Sequence, residues 1–315
     1  MLGPWLAGDG EPIEIRTSGS TGEPKTIRLS RESVLASASA TLEYLGGPGR
    51  WLMALPPTGM GGFQVLVRSA LAGIEPVFLD DYLDLTAAIA ELRAREPERA
   101  YLSLVPTQLH RLAESGHLAD LAVFDTVLLG GAATSKQLLA AADAAGVNIV
   151  RTYGMTETAG GCIYDGYALA GVQMRIEADG RISLAGPMLF EGAPEWWTTQ
   201  DLGRITDDRL EVLGRADQVA ISGGVNIPLG AVEAVLAEVA TVQQIIVVAR
   251  ADAEWGQVVT ACVRGTLDRQ TAADALETAG YPRAWAPRVI EVWDTFPLLA
   301  GGKVDRLALT EPRAE

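Results

Sequence analysis

The chain has 315 residues, 48% of them hydrophobic and 21% charged, the balance of a globular protein of about two domains, which excludes a disordered or fibrous molecule. A formal net charge of −15 excludes a broad basic footprint, so neither nucleic acid nor an anionic membrane is an expected partner. Two cysteines and two histidines are too few for a disulfide framework or a Cys- or His-rich metal site.

The opening MLGPWLAGDGEP has no signal-peptide pattern, and no later stretch reaches the roughly 18 apolar residues of a membrane span. The expected location is the cytoplasm. The first chemical feature is Thr17-Ser18-Gly19-Ser20-Thr21-Gly22-Glu23-Pro24-Lys25. Glycines and small hydroxyl residues let a backbone approach an anion and offer N–H and O–H donors, and Lys25 adds positive charge, as a phosphate cradle requires. A Walker loop would need glycine directly before the lysine, where Pro24 stands with a fixed φ and no N–H. A Ser/Gly-rich surface turn has the same composition.

From Trp51 to Thr152 short apolar runs alternate with helical stretches. Strands are predicted at 51–55, 75–79, 100–105, 125–130 and 148–153, and helices at 62–72, 84–95, 107–114 and 135–145. That order implies parallel strands joined by right-handed crossovers, with ligands at the strand C-terminal ends. Gly130-Gly131-Ala132-Ala133 follows one such end, and Tyr153-Gly154-Met155-Thr156-Glu157 is expected just after another. There a carboxylate can hold Mg2+, a hydroxyl can contact phosphate and a tyrosine ring can stack on a base. The Thr-Glu pattern serves equally as a helix cap.

After Gly160 the chain turns to short β segments, with a hairpin predicted around Asp179-Gly180 and a further strand over RLEVLGR. Thr199-Gln200-Asp201 precedes that strand and Gly214-Arg215-Ala216-Asp217 closes it. A carboxylate can accept both hydroxyls of a ribose, and an arginine can share that task or face phosphate; solvated turn residues read the same way. A second unit begins near Asp217, with helices predicted at 228–238 and 270–279 and strands at 242–250, 257–264 and 287–293, a small α+β domain of about 100 residues. Gly301-Gly302-Lys303-Val304-Asp305-Arg306 is by itself a flexible basic loop.

Taken in order, TSGSTGEPK, YGMTE, TTQDLG, GRADQVAISGGVNIP and PLLAGGKVDR resemble the motifs of the adenylate-forming superfamily: acyl- and aryl-CoA ligases, firefly luciferase and peptide-synthetase adenylation domains. The resemblance covers nearly the whole chain. It implies an α/β fold, with a large N-terminal domain (1–216) of mostly parallel sheet plus a β-rich subdomain and a small mobile α+β C-terminal domain (217–315). It implies that a carboxylate attacks the α-phosphorus of MgATP to give acyl-AMP, and that a thiol then takes the acyl group. Phosphate contacts are expected from Thr17, Ser18, Gly19, Ser20, Thr21, Gly22 and Lys25, and nucleotide contacts from Gly131, Tyr153 and Thr156. Glu157 is the expected Mg2+ ligand, Asp201 and Arg215 the ribose pair, Asp217 the hinge, and Lys303 the cation that bridges carboxylate and phosphate.

Within the superfamily, the stretches 55–73, 103–112 and 223–233 resemble the branch that ligates o-succinylbenzoate, an aromatic carboxylic acid, to coenzyme A in menaquinone biosynthesis. The second carboxylate of that acid needs donors in a mostly apolar pocket, for which Thr107, His110 and Arg68 are candidates by polarity alone. Three departures stand out: the phosphate loop begins at residue 17, so much of the usual N-terminal region is missing; Thr58-Gly59 replaces an aromatic-His pair; and Gln200 replaces a glycine. The resemblance admits a homo-oligomer. Alternatives are an adenylating enzyme for another acid or a carrier-protein acceptor, and a non-catalytic nucleotide-binding module, against which retention of Glu157, Asp201, Arg215 and Lys303 counts.

Overall fold

Strands that are apolar on both faces must be covered on both, as a parallel sheet flanked by helices provides. The computed structural model, which describes residues 5, 8, 11–17, 25–132, 134–297 and 304–311, shows this arrangement. Strands β3 (Arg50–Met53), β4 (Val77–Phe78), β5 (Ala100–Leu104), β6 (Thr126–Gly130) and β7 (Ile149–Met155) are parallel. Two further strands, β8 (Gly160–Tyr164) and β9 (Tyr167–Ala168), add antiparallel and complete the order β4-β3-β5-β6-β7-β8-β9.

Alternation along these strands sends successive side chains to opposite layers. Leu52, Leu102, Leu104, Val127 and Leu129 pack against Ile89 and Leu92 of α3 (Leu85–Ala94), Leu109 of α4 (Pro106–Glu114) and Ala142 of α5 (Lys136–Ala144). Trp51, Met53, Tyr101, Leu128 and Val150 face Ala40 of α1 (Arg31–Tyr44), Val65 of α2 (Met60–Ala72) and Tyr164. The mostly parallel sheet is as expected, with two differences. The run at 75–79 forms a strand only at Val77–Phe78, and β7 continues to Met155 because β8 pairs with it, which puts Tyr153, Gly154 and Met155 inside the strand.

Helix α1 and the hairpin of β1 (Ile13–Thr17) with β2 (Lys25–Leu29) lie outside the predicted set. The buried face of α1 is Ser33, Val34, Ser37, Ala38, Ala40 and Thr41, small and partly hydroxylic, so its 3.6-residue period carries little contrast. Its start is capped by Ser30, whose Oγ accepts from the Ser33 N–H at 3.1 Å.

The contacts divide the chain into two units, one of residues 1–175, 183–198 and 205–210, the other of 176–182, 199–204 and 211–315. Strands β10 (Gln173–Ile176), β11 (Arg181–Ala185), β12 (Trp197–Thr206) and β13 (Arg209–Arg215) form a sequential meander, and its first connection is the hairpin expected at Asp179-Gly180. The second unit is a sheet of order β15-β14-β17-β16 built from β14 (Val219–Ser222), β15 (Val225–Pro228), β16 (Val242–Asp252) and β17 (Gly256–Gly265), with β18 (Val289–Val292) also on β17. Val232 and Leu236 of α6 (Leu229–Leu236) and Leu276 of α7 (Arg269–Thr278) pack against Ile245, Val247, Val259 and Val263 on one face of it. Mixed α/β architecture with β-rich sheets is therefore the fold class. No helix among the described residues is long and apolar enough to cross a membrane.

Candidate active site

The β1–β2 hairpin brings Thr17 and Lys25 into register as its last cross-strand pair. The intervening residues, with Ser18, Gly19, Ser20, Thr21 and Gly22 among them, lie outside the described residues. Lys25 is exposed at the start of β2, while Ile27 and Leu29 bury the other face against Val34, Ala38, Val67 and Ala159. Ala159 belongs to the segment that follows Glu157, so one core cluster joins β2 to that turn. Two backbone bonds reinforce the link: Phe190 N–H donates to the Glu157 carbonyl at 3.0 Å and Glu191 N–H to the Arg28 carbonyl at 2.9 Å. Residues 190–191 thus strap β2 to the Glu157 turn.

The turn is built with little freedom. A Cβ on Gly154 would stand 2.1 Å from the Gly160 carbonyl oxygen, so β7 and β8 can close only on glycine there. Thr156, Glu157 and Thr158 form one 3-10 turn, and the fully buried Thr158 pins it: its Oγ1 accepts from Met155 N–H at 2.9 Å and donates to the Gly160 carbonyl at 2.7 Å. Ala159 then takes the left-handed conformation at φ 48°, rare for a residue with a side chain. Thr158 was missed in the sequence, where the segment read equally as a helix cap. The Glu157 side chain is half-buried. Among the described residues no group of three or more His, Cys, Asp or Glu could hold a metal ion. Mg2+ accepts a single carboxylate completed by phosphate and water, and the Glu157 carboxylate fits that role. Nearby Cys162 is buried, which pushes its thiol up to about 12, so it is no nucleophile at neutral pH.

The loops after β3, β5 and β6 meet at the same strand ends. Gln108 joins two of them, donating from Nε2 to the Ala54 carbonyl at 2.8 Å while its Oε1 accepts from Val105 N–H at 3.0 Å. Its signal was its place near the start of a Pro-led helix directly after a strand. Gly131, at φ 88°, lies where a Cβ would be 3.5 Å from Val105 Cγ1, and Tyr153 lies within the adjacent strand β7. The polar trio divides. Thr107 is exposed, His110 is exposed and 3.3 Å from Glu114, and Arg68 is buried with its Cζ 5.2 Å from the Trp51 ring centroid. Burial draws the Arg68 guanidinium below its usual range, with the neighbouring Tyr164 opposing.

In the second unit Arg215 connects the two predicted aspartates. Its Nε and Nη2 donate to the Asp217 carboxylate at 2.9 and 3.0 Å, and its Nη1 lies 3.6 Å from Asp201 Oδ1. Asp201 is held in turn by its own N–H, which donates to Thr199 Oγ1 at 3.0 Å, and its side chain is only 16% exposed. Asp217 sits in the short turn Ala216–Gln218 between β13 and β14. Lys303 lies outside the described residues.

Residues 15–192 match the AMP-binding enzyme family, and residues 231–303 match the AMP-binding enzyme C-terminal domain. The chain belongs to the AMP-binding enzyme family. Among AMP-binding enzymes it is 40% identical to the probable 2-succinylbenzoate–CoA ligase of Mycobacterium tuberculosis, over 96% of this chain and 84% of that one. It is 31% identical to the 2-succinylbenzoate–CoA ligase of Listeria monocytogenes, over 94% and 68%. The o-succinylbenzoate CoA synthetase of Bacillus subtilis, solved with the acyl-adenylate intermediate OSB-AMP, superposes with a TM-score of 0.76 at 26% identity, over 95% of this chain and 69% of that one. The same synthetase solved with ATP and magnesium ion gives 0.76 at 25% identity, over 95% and 69%.

Proposed function

We propose that this AMP-binding enzyme ligates 2-succinylbenzoate to coenzyme A through an acyl-AMP intermediate. A carboxylate oxygen of the acid attacks the α-phosphorus of ATP and pyrophosphate leaves; the coenzyme A sulfur then attacks the acyl carbonyl, AMP leaves, and the thiol proton passes to solvent. The first step brings two anions together, so positive charge and donors must be in place beforehand.

The 190–191 strap carries this reading, because it ties the strand bearing Lys25 to the turn bearing Thr156 and Glu157. On that basis residues 17–22 and Lys25 receive the phosphates, Thr156 donates to a phosphate oxygen, and Tyr153 and Gly131 take the nucleotide. Mg2+ bound at Glu157 would neutralise phosphate charge. The family resemblance supports Asp201 and Arg215 as ribose ligands, Asp217 as hinge and Lys303 as the adenylation cation. It also supports 1–216 as the adenylation domain and 217–315 as the lysine-bearing mobile domain. A cytoplasmic location is part of the same proposal and agrees with two unpaired, buried cysteines.

The test is consumption of coenzyme A with release of AMP, dependent on both ATP and 2-succinylbenzoate. Lys303→Ala is expected to lower acid-dependent ATP–pyrophosphate exchange by about 10²–10³. Turnover of other aromatic acids without 2-succinylbenzoate would refute the substrate. ATP binding with no exchange for any acid would refute the enzyme and leave a nucleotide-binding module.

A further inference from the structure

Gln64 stands on α2 with its side chain in the core, 1% exposed. Its Nε2 donates to the Ala159 carbonyl at 2.7 Å and to the Val34 carbonyl of α1 at 3.3 Å, while its Oε1 has no hydrogen-bond partner among the described residues. Two carbonyl oxygens on one side fix the orientation of the amide, since only its NH2 end can face them. Packing alone does not call for an amide there: methionine has similar length and would carry no buried oxygen without a partner. What the amide adds is its two donor bonds, and both go to the backbone of other segments.

Ala159 is where those bonds bear on the Thr156–Thr158 turn. It is fully buried and left-handed at φ 48°, a conformation that persists in a residue with a Cβ only where its surroundings over-determine it. Three contacts do so here: its methyl packs among Val34, Ala38 and Val67, its N–H donates to the Thr156 carbonyl at 3.0 Å, and its carbonyl accepts from Gln64. A Cβ on Gly160 would stand 3.2 Å from Gln64 Cγ, so α2 lies directly against this stretch. Thr158 ties the turn to the β7 and β8 backbone, and Gln64 ties it to the two helices. From the Gln64 amide to the Thr156 carbonyl the path is two hydrogen bonds through one residue.

We propose that Gln64 is a positioning residue for adenylation: its amide holds Ala159 in the left-handed conformation and so sets where the Thr156 hydroxyl and the Glu157 carboxylate stand. The inference rests on the reading of Thr156 and Glu157 as phosphate and Mg2+ groups given above. Gln64 touches no substrate in this scheme and acts through the backbone of the turn. Misplacing a reacting group by about an ångström can cost on the order of 10²-fold in rate, and groups that orient a metal ligand are worth about 10–100-fold in metal affinity.

The experiment compares full-length Gln64→Met, Gln64→Asn and Glu157→Gln with the parent. Amide hydrogen exchange of the metal- and nucleotide-free protein, followed by mass spectrometry, reads the turn directly. In Gln64→Met the amides over 155–161 are expected to exchange about tenfold faster, with those of β5 and β6 unchanged. Gln64→Asn keeps an amide one methylene too short to reach Ala159; it is expected to act in the same direction and serves if the methionine variant folds poorly. The Mg2+ concentration giving half-maximal 2-succinylbenzoate-dependent ATP–pyrophosphate exchange should rise about tenfold. Capture by coenzyme A of supplied 2-succinylbenzoyl-AMP, a step without pyrophosphate, should change by less than about twofold. Faster amide exchange in β5 and β6 as well, or parallel decline of both half-reactions at an unaltered Mg2+ requirement, would mean a merely structural residue, and unchanged turn amides would mean no role; either overturns the proposal. If Glu157→Gln raises the Mg2+ requirement and the Gln64 variants do not, only the positioning inference fails. Should Glu157→Gln leave the Mg2+ titration unaltered, the assignment of Glu157 falls and this inference with it.

Discussion

Phe190 N–H donates to the Glu157 carbonyl at 3.0 Å, across 33 positions of chain, and its ring sits edge-on to Trp197 at 5.7 Å while also packing on the core that joins β2 to the Glu157 turn. The contact fixes the backbone of Glu157, the proposed Mg2+ ligand, from outside its own motif. Phe190→Ala is expected to cost about 1–3 kcal/mol, below the range for a fully buried ring because this one is half-exposed. Urea denaturation would measure it. Pyrophosphate exchange should fall by about tenfold in protein that is still folded, and undiminished exchange would show that the strap is dispensable.

Glu157 offers one carboxylate, and among the described residues no group of three or more His, Cys, Asp or Glu could hold a metal ion. Glu157→Gln keeps the shape and removes the charge. The Mg2+ concentration giving half-maximal exchange should rise by about tenfold or more, in line with what loss of a metal-site contact costs. An unaltered Mg2+ titration would place the metal elsewhere.

Thr158 is buried and spends its hydroxyl on two backbone groups at once. Thr158→Val keeps the volume, leaves Met155 N–H and the Gly160 carbonyl without that partner, and should destabilise by about 1–3 kcal/mol. Thr158→Ser retains the hydroxyl and should recover most of the loss. Equal stability of the valine and serine variants in thermal melts would contradict the bonding described.

Arg215 and Asp217 form a bidentate pair, with side chains 36% and 43% exposed. Solvent screening at that exposure limits the pair to about 0.5–1 kcal/mol, so Asp217→Ala should melt within a few degrees of the parent. Its expected effect is kinetic. If Asp217 is the hinge, capture of supplied acyl-AMP by coenzyme A slows while pyrophosphate exchange holds; equal effects on both would remove it from that role.

Burial raises the Cys162 thiol from 9.0 to about 12 and the Cys262 thiol to about 11. A raised folded value means stability from this source is complete below pH 9, the unfolded value, and is lost as pH climbs toward 11–12, where the unfolded chain gains by releasing protons first. Iodoacetamide at pH 8.5 should therefore leave both thiols of the native protein unmodified and alkylate both in urea, read by mass spectrometry. Rapid native labelling at Cys162 would show the turn opening locally.

What the amino-acid sequence determined by itself was the layered α/β core and the order of the nucleotide motifs. WLMAL is apolar at every position and AYLSLV at all but Ser103, a pattern that a sheet covered on both faces buries, and glycine–hydroxyl–lysine chemistry is local to a few consecutive residues. Tertiary structure decided the rest. The 190–191 strap consists of backbone N–H and carbonyl groups, which every residue carries, so no composition announces it. Arg68 read as a polar candidate for the substrate's second carboxylate, yet Trp51 and Tyr164 enclose it from strands distant in the chain. Helix α1 hid behind serines and alanines for a related reason: its buried face is defined by what covers it rather than by contrast along its own length. Burial and hydrogen-bond partners are relations between segments, and a linear pattern specifies them only where one face of an element must be apolar.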